Sequence, residues 1–332
     1  MTEPRPLLVR IDSPLRLAPP AEPAPAGPVG PRDPAREAVR ASLAHNVAKL
    51  ARHEAGVRAG TPDSVRRLRI AARRLRSDLT TFRPLLDPDW ARALGKELGT
   101  LARGLGVARD REVTLQRLER DVAVLPPGAP REATLDYLRT VLAADLAAAR
   151  EGAVSALDAD GTAALIAAMQ AAAEDPRTNA LAERSCRTAL PPLVAAAYRR
   201  LEKRARHLHL APPGTVVHAD ADDDWHDTRI LAKRARYAAD ACVPVFGETS
   251  TELALCLTDV TRCLGEHQDA AIAAAAAIDL AQHPACPPAA ALGLGLLHGI
   301  QREAVLAARY NFEGLWPETR SFASAHERLA LP

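Results

Sequence analysis

An arginine-rich segment occurs twice in this chain, and the duplication governs the architecture that the sequence can adopt. Residues 65–76 and 225–236 align at an offset of 160, and a Leu-Gly pair followed by aspartate recurs at 105–110 and 264–269. Two segments so far apart would not share both spacings by chance, so we predict a tandem duplication. Its halves are expected to span residues 34–175 and 180–328.

The hydrophobic pattern after residue 34 is that of α-helices. Of the 332 residues, 48 % are hydrophobic but only 3 % are aromatic, so the core must consist mainly of Leu, Val and Ala. Such a composition favours packed helices over a sheet, and no stretch shows sustained alternation of β-branched residues. The helical runs are interrupted by proline or glycine near 60–62, 84–88, 126–130, 191–192, 212–214, 244–247 and 284–288. We therefore predict an all-α fold.

The N-terminal segment differs from the rest of the chain. Residues 1–33 carry nine of the 27 prolines and are predicted to form a disordered, proline-rich arm. No signal peptide precedes it, and no apolar stretch is long enough to cross a bilayer, so we expect a cytoplasmic protein without membrane contact. The five cysteines show neither CxxC nor paired Cys/His spacing, and we expect them to be reduced and to bind no zinc.

Basic side chains fall on one face of each repeated helix. On a helical wheel the four positions of each stripe lie within a quarter-turn, opposite an apolar face. The stripes consist of Arg66, Arg69, Arg73 and Arg76 in the first copy and of His226, Arg229, Lys233 and Arg236 in the second. The helix before each copy adds a basic face, made of His45, Lys49, Arg52 and His53, and of Arg200, Lys203, Arg204 and His207.

These four basic faces favour a binding surface for a polyanion. A solvated face is the simpler interpretation of any one helix, but between Arg66 and Arg83 Asp78 is the only acid among seven arginines. The formal net charge of +2 argues against a generic DNA-coating protein. Few aromatic residues are available to stack on bases, and few Asn or Gln side chains to read base edges. Arginine and lysine suit phosphate, so an unbranched phosphate chain fits better than a nucleic acid.

The repeated segments resemble the conserved histidine α-helical domain (CHAD) family. The family signature runs roughly V-H-x-x-R-V-x-x-[RK]-R-L-R, followed downstream by L-G-x-x-[RQN]-D, and the resemblance covers about 34–328. It implies two pseudo-symmetric helical bundles that enclose a basic cavity for inorganic polyphosphate, without catalysis, and targeting to polyphosphate granules. On this resemblance the residues of both stripes contact phosphate oxygens and the preceding basic helices complete the cavity. Arg66 replaces the family histidine that His226 retains, and we expect binding to persist.

Two alternatives remain open on the sequence: a helical nucleic-acid-binding protein, and an enzyme acting on polyphosphate. Against catalysis, no nucleotide-cradling GxxxxGK[ST] and no HExxH motif is present, and no cofactor is implied. We expect Asp110 and Asp269 to pair with basic residues rather than to act as catalysts. The acidic run Asp220, Asp222, Asp223 and Asp224 precedes the second signature helix, where acids favour the helix start, so we expect no metal site. Protein partners stay unknown.

Overall fold

A computed structural model describes residues 29–329 apart from 60, 62, 159 and 209–221. The first half contains α1 (Ala35–Arg58), α2 (Ser64–Thr81), α3 (Pro88–Val122), α4 (Arg131–Asp158) and α5 (Asp160–Glu174). The second half contains α6 (Cys186–Ala189), α7 (Pro191–Ala205), α8 (Asp222–Phe246), α9 (Glu248–Ala281) and α10 (Pro288–Leu329). The described residues form helices with only isolated β-bridges, which confirms the all-α prediction.

The two signature segments lie on equivalent helices. Residues 65–76 belong to α2 and residues 225–236 to α8, each after a helix with a basic face and before a long helix that carries the Leu-Gly pair. Of the predicted breaks, the one near 212–214 lies outside the described residues. Pro244 stands inside the last turn of α8, and Pro317 lies within α10. The segment between α5 and α7 begins at the predicted junction of the halves and ends at the break predicted near 191–192, where Pro191 starts α7.

Buried apolar side chains of the described chain form three cores. The first joins α1, α2, α3 and α5 through residues such as Leu43, Leu68 and Leu98, and the end of α8 also enters it. The second joins α7, α8, α9 and α10 around Leu257. A third core links the halves through α3, α4, α9 and α10 around Leu138. Each fully buried leucine contributes about 2 kcal/mol, so these cores fix α2 beside α8.

The predicted arm extends over residues 1–33, and residues 1–28 lie outside the described part. Val29 is buried in the first core. The carbonyl oxygen of Asp33 accepts a hydrogen bond from the Cys186 amide at 2.8 Å, and that of Pro31 accepts one from the Arg187 amide at 2.8 Å. Residues 29–33 are therefore part of the folded unit rather than of the predicted arm.

Two further findings concern the cysteines and the apolar character of the helices. All five cysteines are free thiols. No helix in the described residues combines the length and the apolar character needed to cross a bilayer.

Candidate functional site

The basic stripes of α2 and α8 meet where these two helices pack together. Arg69 and Arg73 of α2 lie beside Arg229 of α8, and Arg73 also lies beside Lys233. We call these four side chains the central cluster. Asp269 of α9 faces Arg229 and Lys233 and supplies a single negative charge. The middle of each predicted stripe thus comes together in one place, with more positive than negative charge.

Mutual repulsion and burial act on the charges of the central cluster. Burial, followed by the charges of Arg229, Arg73 and Arg236, lowers the pKa of Lys233 to about 7. Burial also lowers the pKa of Arg229, against the attraction of Asp269. Burial raises the pKa of Asp269 despite the arginine beside it. Cations held together in a half-buried site favour an anion that would neutralise them.

Three arginines of the two stripes carry buried nitrogens that lack a partner. The Nε atoms of Arg69, Arg229 and Arg236 are shielded from solvent, and none has a hydrogen-bond partner among the described residues. A buried donor left without an acceptor costs about 1–3 kcal/mol, so native proteins rarely leave one unpaired. An acceptor-rich ligand bound between the two stripes would supply partners for these three donors.

Gly106 explains why the Leu-Gly pair follows the first signature helix. A Cβ atom at this position would lie 3.3 Å from Nε of Arg69, so glycine allows the guanidinium to lie against α3. Nη2 of Arg69 is 3.1 Å from Oδ1 of Asp110, which confirms that this aspartate pairs with a basic residue. In the second copy a Cβ at Gly265 would meet no atom within 4 Å. The close packing is specific to the first copy.

Arg76 and Arg236 flank the central cluster. Nη1 of Arg236 donates to Oγ1 of Thr261 at 3.1 Å, and its guanidinium lies 4.8 Å from the ring centroid of Tyr237. The guanidinium of Arg74 lies 4.2 Å from the centroid of the same ring, so two arginines contact one tyrosine. Burial, followed by the charges of neighbouring arginines including Arg73, lowers the pKa of Arg76. These flanking cations extend the positive surface.

The first residue of each stripe is bound to a neighbour. Arg66 donates to both carboxylate oxygens of Asp63, at 2.5 Å and 2.6 Å, and holds the pKa of that carboxyl down at about 2. His226 Nδ1 lies 2.5 Å from the amide oxygen of Gln268, so Nδ1 carries a hydrogen. Arg66 must leave its aspartate, or share it, before it can bind phosphate.

The basic face of α1 adjoins a side of α2 different from the predicted stripe. It contains His45, Lys49, Arg52 and His53. Burial, then Lys49 and Arg74, lowers the pKa of His45, while burial, then Arg67 and other nearby cations, lowers the pKa of His53. Arg67 and Arg74 lie outside the stripe of Arg66, Arg69, Arg73 and Arg76. His45 and His53 therefore lie near cations of α2 outside the stripe, and Arg74 joins this side to Arg236 through the tyrosine ring that both contact.

The basic face of α7 is divided between two environments. Nη2 of Arg204 is 2.6 Å from Asp224 and 3.1 Å from Asp227, both in the first turns of α8. Arg200 lines a groove together with Arg234. Lys203 and His207 are exposed to solvent. Arg204 is already neutralised by two carboxylates, so it is the weakest of the predicted phosphate contacts.

The start of α8 is held by a buried ionic network. Oδ1 of Asp222 is 2.5 Å from Nη2 of Arg309, and Oδ2 is 2.6 Å from Nη1 of Arg302. Nε of Arg309 donates to Nε2 of His267 at 3.1 Å. Burial, followed by Arg309, lowers the pKa of His267 to about 4, so this imidazole is neutral. Asp222 thus stabilises the first turn of α8, as expected for the acidic run. Asp220, the first residue of that run, lies outside the described residues.

Trp225, the aromatic residue of the second signature, is not available as a stacking platform. It is buried in the second core and stacks on His267 with a centroid separation of 5.3 Å. Arg309 lies 5.2 Å over its ring.

In the described part of the chain, no group of three His, Cys, Asp or Glu side chains is arranged to hold a metal ion.

Comparisons with known proteins identify the family of this chain. The family model of the CHAD domain matches residues 41–277, which include both signature helices and most of α9. The chain belongs to the CHAD family. Among solved structures, PptA from Streptomyces chartreusis superimposes on this CHAD chain with a TM-score of 0.73 at 29 % identity, over 86 % of this chain and all of PptA. The CHAD domain from the plant Ricinus communis gives a TM-score of 0.62 at 23 % identity, over 84 % and 93 % of the two chains.

Two curated relatives come from Mycobacterium tuberculosis. The uncharacterized proteins MT2285 (strain CDC 1551 / Oshkosh) and Rv2226 (strain ATCC 25618 / H37Rv) are each 31 % identical to this CHAD chain over 280 residues. The match covers 83 % of this chain and 51 % of each relative. The chain thus spans about half the length of the curated relatives it matches.

Proposed function

We propose that this CHAD protein binds inorganic polyphosphate between α2 and α8, without catalysis, through the central cluster and its flanks Arg76 and Arg236. The observation that carries the proposal is the set of three buried Nε donors on Arg69, Arg229 and Arg236 that lack a partner in the described residues. A phosphate chain presents acceptor oxygens at every unit and negative charge along its whole length. It therefore satisfies both the unpaired donors and the repelling cations.

The chemistry of the site favours phosphate over a nucleic acid. The aromatic rings near the stripes are occupied, because Trp225 is buried and Tyr237 lies against two arginines. Bases that stack on aromatic side chains contribute much of the affinity in single-strand binding. A ligand made only of phosphates needs no such platform. We propose the central cluster as the principal site, with the basic faces of α1 and α7 as outer contacts.

The biological setting follows from the same proposal. The family resemblance supports a cytoplasmic protein that associates with polyphosphate granules. Binding to a chain of repeated charges releases counterions, so the affinity should fall steeply with salt, by analogy with nucleic acids. No specific nucleic acid, membrane or metal enters the proposal.

The test is an anisotropy titration of end-labelled long-chain polyphosphate at about 0.15 M salt. Unlabelled polyphosphate and double-stranded DNA serve as competitors. The variants are Arg69→Glu/Arg73→Glu and Arg229→Glu/Lys233→Glu. The matched control is Arg92→Glu/Arg139→Glu, which makes the same change in charge at exposed positions.

We expect wild type and control to bind alike, both site variants to lose most of their affinity, and only polyphosphate to compete. Equal competition by DNA would reduce the site to a general polyanion surface. Absence of wild-type binding would overturn the proposal. Orthophosphate release on addition of Mg²⁺ or Mn²⁺, lost in the site variants, would instead establish an enzyme.

A further inference from the structure

A second basic groove lies apart from the central cluster, where the end of α2 meets α7 and α8. It has a volume of about 290 Å³ and is lined by Thr80, Thr81 and Arg83 from the first half and by Arg200 and Arg234 from the second. Its remaining wall is formed by proline and by apolar side chains of α7 and α8. The groove thus combines guanidinium groups and two threonine side chains with apolar walls, and the Thr80 hydroxyl donates to the Arg76 carbonyl oxygen.

The arginines of this groove are not neutralised by the protein. No acidic residue lines it, and within the described ranges none of Arg83, Arg200 and Arg234 forms an ion pair. Most of the surface arginines elsewhere in the described chain do pair, as Arg204 does with two aspartates. Three unpaired guanidinium groups around one concave surface are a suitable receptor for phosphate oxygens.

The duplication explains why the groove is open in one copy only. At the offset of 160, Arg234 corresponds to Arg74 and Asp240 corresponds to Thr80. In the first copy Nη1 of Arg74 is 2.5 Å from Oδ2 of Asp240, so a carboxylate already occupies the anion position. In the second copy Thr80 stands at the equivalent position, its hydroxyl donates to the carbonyl oxygen of Arg76 at 2.8 Å, and Thr80 and Arg234 both line the groove. Replacement of the acid by threonine leaves room and charge for an external anion.

The groove is continuous with the central cluster through Arg76. The charges of Arg73 and Arg234 both lower the pKa of Arg76, after the larger effect of burial, so Arg76 lies near both. Arg73 belongs to the central cluster and Arg234 to the groove. On α2, Arg76 lies one turn before Thr80, whose hydroxyl donates to the Arg76 carbonyl oxygen at 2.8 Å, so Arg76 stands between the central cluster and the groove.

We propose that the groove of Arg83, Arg200 and Arg234 is a second phosphate subsite, which holds the part of a long polyphosphate chain that leaves the central cluster past Arg76. This inference rests on the proposed function, which places the chain in the central cluster. It adds that the protein discriminates chain length. Short chains fill the central cluster alone, whereas long chains gain the additional contacts of the groove.

The test compares tripolyphosphate and long-chain polyphosphate in calorimetric titrations of wild type and Arg83→Gln/Arg234→Gln. The control is Arg92→Gln/Arg139→Gln, which removes the same charge from exposed positions elsewhere. We expect the groove variant to bind long chains roughly fivefold to twentyfold more weakly, with tripolyphosphate affinity unchanged within about twofold. For long chains, the log of the affinity should fall less steeply with the log of the salt concentration, and the magnitude of the slope should be smaller by about two. Circular dichroism melts verify that both variants are folded.

Other outcomes separate the two proposals. Unchanged long-chain affinity in the groove variant, or an equal loss for both ligands, overturns the second subsite and leaves the proposed function intact. Two tripolyphosphates bound per wild-type chain and one per variant chain would make the groove an independent anion site and overturn its continuity with the central cluster. If wild type binds neither ligand, the proposed function fails and the subsite fails with it.

Discussion

Polyphosphate binding should take up a proton at Lys233, and its affinity should therefore fall as the pH rises above neutrality. The side chain faces Arg229 and Arg236 on its own helix, Arg73 on α2 and Asp269 on α9. Burial and these arginines lower its pKa to about 7 in the free protein. A bound phosphate favours the ammonium form and returns the pKa to at least its ordinary value of 10.5.

The magnitude follows from linkage between protonation and binding. With a pKa of about 7, Lys233 is charged in about 76 % of free molecules at pH 6.5 but in only about 3 % at pH 8.5. Since the bound form is charged at both values, the affinity should decrease about 25-fold over this interval. At pH 8 binding should take up about 0.9 proton per chain. Burial, followed by nearby cations, lowers the pKa values of His45 and His53 from the ordinary 6.5.

The assay is a titration with long chains, whose terminal phosphates are few, across this pH interval at constant ionic strength. Proton uptake is read from calorimetry in buffers of different ionisation enthalpy. Lys233→Arg keeps the positive charge at all pH values, so it should bind with little pH dependence. An affinity that stays within about twofold in wild type, or a decrease that persists in Lys233→Arg, refutes the reasoning.

Three further predictions concern stability and positioning. Burial raises the pKa of Asp78 from 3.8 to about 7. The free energy of unfolding should therefore decrease as the pH rises from 3.8 to above 7. Asp78→Asn should therefore melt higher than wild type at pH 8, with a smaller difference at pH 5. Arg309→Ala should lower the free energy of unfolding in urea by about 3 kcal/mol, because it deletes a fully buried side chain and one of the two arginines that pair with Asp222. Gly106→Ala should weaken polyphosphate binding about threefold by displacing the adjacent guanidinium, whereas Gly265→Ala should not.

Each of these has a clear contrary result. A constant melting difference between pH 5 and pH 8 would show that Asp78 is ionised throughout. A urea midpoint within error of wild type would mean that Arg309 contributes no net stability. Equal effects of the two glycine substitutions on binding would remove the special role of Gly106.

The helical class and the residues of the two stripes could be predicted because both depend on local periodicity and on the repeat. The wheel identified Arg69, Arg73, Arg229 and Lys233, and packing of α2 against α8 brings them together. A wheel gives the angle of a side chain about its own helix, but it does not specify which neighbour the helix meets. The basic face of α1 illustrates this, because it meets Arg74 rather than the stripe.

The ion-pair partners of individual side chains could not be predicted from the helical pattern either. Arg204 of α7 pairs with Asp224 and Asp227 of α8, and Arg66 pairs with Asp63, the residue before α2. Such pairs depend on how loops return a helix end to its neighbour. Arg234 lies outside the stripe and so was missed as a site residue, although its recurrence in both copies was visible. The sequence does contain a signal for the groove that Arg234 lines. At the repeat offset of 160, Thr80 of the first copy corresponds to Asp240 of the second.

The most direct test of the central claim is a crystal structure of the chain with bound polyphosphate. We expect phosphate oxygens within hydrogen-bonding distance of the Nε atoms of Arg69, Arg229 and Arg236, which lack partners in the described residues without ligand. The chain should pass between α2 and α8. Polyphosphate bound on the exposed faces of α1 or α7, with those three nitrogens still unpaired, would contradict the account.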